Sequence, residues 1–143
     1  MAYYSLLAGW INFSYMKKII TLTCVALFFI LCAFKPGSGL DDVINALRTG
    51  NATELAKYID NNIEIFMPSK TDNYSRQQAT IILQDFFNNN VVKGFEVKHK
   101  GDNGGNQFCI GTLPTRSGNY RTTFFMTEKN GKQLVKEIRF QSM

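Results

Sequence analysis

Tyr120-Arg-Thr-Thr-Phe-Phe-Met-Thr-Glu128 and Gln133-Leu-Val-Lys-Glu-Ile-Arg-Phe140 flank the dipeptide Asn130-Gly131. Both flanks are rich in β-branched and aromatic residues, which fit a pleated, half-buried surface. Asn-Gly supplies the left-handed backbone that a tight hairpin demands. The stretch therefore predicts the closing hairpin of an antiparallel sheet. Working back from it, Gln107 to Pro114 reads as a strand in which Gly111 predicts a bulge or a bend. Before the turn at Gly101–Gly105, Phe95-Glu-Val-Lys-His-Lys100 alternates strictly. That places Phe95, Val97 and His99 on one face and Glu96, Lys98 and Lys100 on the other, the pattern of a sheet with one wet side.

The other side needs a cover, and the helical segments lie earlier. Asp41–Arg48 puts Val43, Ile44 and Leu47 on one helical face, with acids in the first turn and Gly50 suited to the left-handed position that follows. Ala52–Ile59 reads as a second short helix, Ile63–Met67 as a first strand, and Asp72-Asn73-Tyr74 as a turn or short strand. Ser75–Asn88 carries the clearest helical signal. Ser75 and Gln78 make a capping box, and Ala79, Ile82, Leu83, Phe86 and Phe87 form one wide apolar stripe. Burial of Phe86 alone is worth about 2–3 kcal/mol. Helices gathered on one face of an antiparallel sheet give a two-layer α+β domain.

The chain has 143 residues, 45% of them hydrophobic and 19% charged, which gives room for one globular domain. Met16-Lys-Lys followed by the uncharged, mostly apolar run Ile19–Phe34 has the layout of a secretory signal peptide, with Gly37-Ser38-Gly39 offering small residues for cleavage near Leu40. The expected organisation is residues 1–15 as a stretch upstream of the true start, 16–39 as the signal peptide and 40–143 as the domain. An exported, periplasmic or secreted protein follows; an uncleaved signal segment anchoring it to the membrane is the alternative, and is the one expected membrane contact. The formal charge of +5 falls once residues 1–39 are removed, leaving 13 bases and 11 acids. Such a domain carries no electrostatic footprint for nucleic acid. Cys109 is then the one cysteine left, so no internal disulfide forms, and its apolar strand predicts a buried, inert thiol.

The order of elements resembles the nuclear transport factor 2-like superfamily, the cystatin-like α+β cone. The resemblance implies a curled antiparallel sheet of four main strands, plus one or two short N-terminal strands, wrapped on three helices. Within that superfamily the chain is similar to a small exported bacterial family of unknown function. The matching residues are Asp42-Val43-Ile44, Gly50-Asn51-Ala52, Leu55, Tyr74-Ser75, Asp85-Phe86-Phe87, His99-Lys100-Gly101, Ile110-Gly111-Thr112-Leu113 and Tyr120-Arg121. The resemblance implies fold and export and no particular activity, because enzymes, carriers and interaction modules share this scaffold.

The candidate chemistry is sparse. His99 is the single histidine, and its parity with Phe95 and Val97 predicts a place in the cone or at its mouth, as a general base, a ligand-binding imidazole, or simply a core or rim histidine. Asp85 borders the apolar stripe, while most other acids fall in helix starts, turns or outward positions, so no dyad is readable. One His and one Cys on different strands make no metal site, and no phosphate loop or serine elbow is present. Tyr74, Tyr120 and Arg121 are further groups for a pocket, although Tyr120 and Arg121 have opposite parity. Thr123, Phe125 and Val135 are expected to alternate outward. The reading is a non-catalytic binding or interaction domain with no cofactor, its partner an unknown small ligand or an envelope protein. An isomerase- or dehydratase-like enzyme using His99, and a structural module forming a homodimer through its sheet, are the alternatives.

Overall fold

The computed structural model describes residues 15–22 and 39–143. Residues 15–22 are helical and exposed and belong to a unit separate from the domain that begins at Gly37. The apolar run beyond residue 22, residues 1–14 and Gly37-Ser38 lie outside the described residues; Gly39 and Leu40, beside the expected cleavage, are described and helical. No helix among the described residues is long and apolar enough to cross a membrane.

The domain runs α1 (Gly39–Thr49), α2 (Ala52–Ala56), β1 (Ile59–Phe66), β2 (Thr71–Ser75), α3 (Arg76–Asn90), β3 (Glu96–Asn103), β4 (Asn106–Thr115), β5 (Gly118–Lys129) and β6 (Lys132–Ser142). The six strands form one sheet in the order β2-β1-β6-β5-β4-β3. All neighbours are antiparallel except β1 and β6, which run parallel. The closing hairpin forms as the dipeptide requires. Lys129 pairs with Lys132, and Asn130 and Gly131 take φ of 52° and 75°.

One face of the sheet packs on the helices. Val43, Ile44 and Leu47 of α1, Leu55 of α2 and Ala79, Leu83 and Phe87 of α3 meet Ile63, Ile65, Leu113, Phe124, Ile138 and Phe140 in a single buried cluster. The capping box at Ser75 is complete. Ile82 and Phe86 are only half-buried, so the stripe on α3 has a dry centre and a damp edge, and the full burial expected for Phe86 is not reached. Gly50 takes the left-handed backbone that ends α1, at φ 63°.

Four local readings are corrected. The helix expected over Ala52–Ile59 stops at Ala56, because Ile59 pairs with Val135 as the first, fully buried residue of β1. The strand expected from Ile63 begins at Ile59, and its Asp60-Asn61-Asn62 run is irregular, the register against β6 shifting between Ile59 and Glu64. Val135 points into the core, because a bulge at Lys136 lets both Val135 and Ile138 face inward. In β3 the register shifts at Lys98, so Val97 faces Gly111 while His99 faces Ile110. One extra residue reverses side-chain parity, and His99 falls on the outer face. Gly111 has its own purpose: a Cβ there would sit 2.6 Å from the Glu96 carbonyl oxygen and against the ring of Phe95, which the missing side chain admits to the core.

The bulge at Lys136 also builds an ionic knot. The Asp60 carboxylate, 7% exposed, accepts from Lys129 at 3.2 Å, from Lys136, and from the Asn61 backbone N–H at 2.8 Å. These donors hold the Asp60 carboxyl well below the usual carboxylate range, against the opposing effect of burial. Two residues before Asp60, the Tyr58 hydroxyl donates to Asp42 at 2.7 Å, and that carboxylate pushes the phenol up to about 12.

Candidate functional site

Ile82, Phe86 and Asn90 lie four residues apart on α3 and form a second stripe beside the buried Leu83 and Phe87. This stripe is the floor of a cleft of about 540 Å³. One wall is the β1–β2 turn, where Met67 and Lys70 exchange backbone hydrogen bonds of 2.8 and 3.3 Å around Pro68 and Ser69. Tyr74 extends that wall from β2, on the helix side because it pairs with the buried Ile63. Tyr120 closes the opposite side. It stands at the start of β5, in phase with the inward-facing Thr122 and Phe124.

The cleft is fixed by a short polar chain. The Tyr120 hydroxyl donates to Asn90 Oδ1 at 3.1 Å, and Asn90 Nδ2 donates to the Phe86 carbonyl at 2.8 Å. The Phe86 ring stands 5.2 Å from Tyr120 in an edge contact and 4.6 Å from Phe140. Lys70 reaches from the turn with its ammonium 5.4 Å from the centre of the Tyr74 ring and 3.3 Å from Asp72. Among the described residues the lining holds no carboxylate, imidazole or thiol.

Of the sequence-predicted site residues, Tyr74 and Tyr120 come together here. Arg121 points away from Tyr120, as its parity predicts, and lines a depression of about 720 Å³ on the outer face with Lys98, Phe125 and Arg139. His99 is exposed on that same face, its ring 5.6 Å from Phe108, which in turn lies 6.4 Å from Phe125. Thr123 and Phe125 do face outward, and Asp85 is exposed. The outer depression is larger but less well built. Lys98 and Arg139 at its edge are paired with Glu96 and Glu137, and Arg139 also stacks on Phe66. Among the described residues no group of three or more His, Cys, Asp or Glu could hold a metal.

Sequence reasoning missed Met67, Lys70 and Asn90 as lining residues. Asn90 reads as a helix stop, and a turn gives no periodicity from which its direction can be told. The available signal was the spacing of Ile82, Phe86 and Asn90, one step round the helix from the core stripe.

A curled sheet with three helices on its concave side is the nuclear transport factor 2-like α+β fold. Residues 40–141 match the model of a domain-of-unknown-function family, DUF4783, and the chain belongs to that family. A crystal structure of a DUF4783 family protein from Bacteroides ovatus is 34% identical, with TM-score 0.69, covering 71% of this chain and 93% of that one. Its counterpart from Bacteroides uniformis is 30% identical, with TM-score 0.70, covering 72% and 95%. An NTF2-like protein of unknown function from Cytophaga hutchinsonii shares the fold at 12% identity and TM-score 0.53, covering 73% of this chain and 86% of that one. No curated protein matches the chain.

Proposed function

We propose that the protein is an exported binding domain that holds a small molecule in the cleft between α3 and the sheet and performs no chemistry on it. One observation carries the reading. Tyr74 and Tyr120, distant in sequence, line with Phe86 a single cleft of about 540 Å³, within the size range of ligand sites; there the Tyr120 ring meets Phe86 edge-on. Much of the cleft wall is apolar or aromatic, and two of its polar groups are tied in place by the Tyr120–Asn90 bond. General acid–base catalysis uses histidine and carboxylates most often, and among the described residues neither His99 nor a carboxylate lines this cleft, whose titratable groups are Lys70 and the two tyrosines. Export rests on the Lys17-Lys18 charge pair and the apolar run behind it.

Native mass spectrometry of the protein purified from its own host's envelope tests this. A reproducible small-molecule adduct, lost when Ile82→Trp fills the cleft, is expected. A bare protein in both cases would overturn the reading.

A second reading is favoured by one feature, the exposed ring of Phe125 beside Phe108 on the outer sheet face. Apolar surface in this position suits a second copy or an envelope protein. Sedimentation at micromolar concentration separates the cases: a dimer dispersed by Phe125→Lys supports it, and a monomer counts against it.

A further inference from the structure

We propose that the cleft selects an amphipathic anion, with an apolar or aromatic body lying on Ile82 and Phe86 and a carboxylate head at Lys70. The inference rests on the cleft being a ligand site and adds the class of ligand. It follows from which hydrogen-bonding capacity is already used and which is left over.

Asn90 is largely committed: its oxygen accepts from Tyr120 and its amide donates to the Phe86 carbonyl. Tyr120 has given its hydrogen to Asn90 and keeps lone pairs. The remaining polar groups in the lining are the Ser69 hydroxyl, the Tyr74 hydroxyl and the Lys70 ammonium. The two hydroxyls can donate or accept, whereas the Lys70 ammonium only donates; of its three N–H groups one faces Asp72 and another the Tyr74 side chain. The one charge among the described lining residues is therefore positive, with an N–H to spare beside it. A ligand carboxylate satisfies that N–H and meets the charge; an ammonium is set against both.

Two features could argue for a cation instead, and neither prevails. Asp72 sits 3.3 Å from Lys70, but both side chains are more than half exposed. A pair so placed is worth little and exchanges partners readily. Asp72 also lies outside the lining. The floor stripe reaches the C-terminal end of α3, where free carbonyls would favour positive charge. Of the carbonyls there, Phe86 accepts from Asn90 Nδ2, Phe87 from the Val91 N–H and Asn90 from the Arg116 N–H, while Asn88 and Asn89 are exposed and outside the lining. The strongest remaining local charge is Lys70.

A matched series sharing one apolar body tests the head group: phenylbutyrate, phenylbutanol and phenylbutylamine, titrated at neutral pH and low salt and read by amide NMR shifts of Lys70, Tyr74, Asn90 and Tyr120. The carboxylate is expected to bind about tenfold tighter than the amine, with the alcohol between. Lys70→Met, an exposed change with no core contact to lose, is expected to bring carboxylate and alcohol within about twofold. Equal binding of all three, tighter binding of the amine, or an order unchanged by Lys70→Met overturns the anion preference while leaving the cleft a ligand site. Absence of cleft shifts with all three overturns both.

Discussion

The Tyr120 hydroxyl reaches across 3.1 Å to Asn90 Oδ1, joining the first turn of β5 to the last turn of α3. Through Asn90 the bond continues to the Phe86 carbonyl. The side chain that closes one wall of the cleft thus also fixes the helix end that forms its floor. Tyr120→Phe is expected to cost about 1 kcal/mol, the net worth of a partly buried hydrogen bond. Asn90→Ala should cost a similar amount. In a double-mutant cycle by urea denaturation the two losses should fail to add by most of that value; strict additivity would mean that the bond is idle.

Gly111 is required by what lies over it rather than by its backbone. Any Cβ collides with the Phe95 ring and the Glu96 carbonyl. Phe95 is buried and has nowhere to withdraw. Gly111→Ala is expected to destabilise the domain by about 1–3 kcal/mol, the usual range for overpacking. Thermal unfolding checks this, and Phe95→Leu in the same chain should recover part of the loss by vacating the space.

Asp60 makes stability depend on acid. Its carboxyl is held low in the folded state, while an unfolded Asp titrates near about 3.9. In between, the unfolded chain binds more protons, so stability rises with pH through that interval. The contribution is complete above about pH 5 and is lost as pH falls towards the folded value. Asp60→Asn should therefore cost on the order of 2 kcal/mol at neutral pH, a sum moderated by the half-exposed lysines. The variant and the parent should converge as the acid limb is descended. A constant difference at all pH values would show that packing, not charge, is what Asp60 supplies.

Cys109 is fully buried, and burial pushes its thiol up to about 11, the Lys100 charge opposing this only weakly. The folded domain over residues 40–143, in which Cys109 is the one cysteine, should react with a water-soluble disulfide reagent at mildly alkaline pH only as fast as it opens. Reaction should become rapid and stoichiometric in denaturant. Immediate reaction of the native protein would place the thiol at the surface.

Much of the fold was legible because local signals agreed with one another. The Asn130-Gly131 turn, the Ser75–Gln78 box and the stripe on α3 each have a short-range cause, and each formed. The losses came from single-residue insertions. Lys98 and Lys136 are both bulge residues, and nothing in strict alternation announces an extra residue; yet one turned His99 out and the other turned Val135 in. The site was half legible. Tyr74 and Tyr120 were recognisable, with Arg121, as polar groups for a pocket, but their meeting depends on β1 pairing in parallel with β6, a long-range event without local marks. Lys70 and Asn90 gain their roles only from that meeting.

The concave cleft and the outer sheet face are the two surfaces offered for binding, and the cleft is the one we propose. Amide NMR on the isotopically labelled domain, titrated with the small-molecule extract of its host's envelope, puts the two in direct competition. Shifts are expected on Met67, Lys70, Tyr74, Asn90 and Tyr120, saturating with added extract and absent in Ile82→Trp. Shifts confined to Thr123, Phe125 and Arg139, or a spectrum unmoved by any fraction, would contradict the proposal.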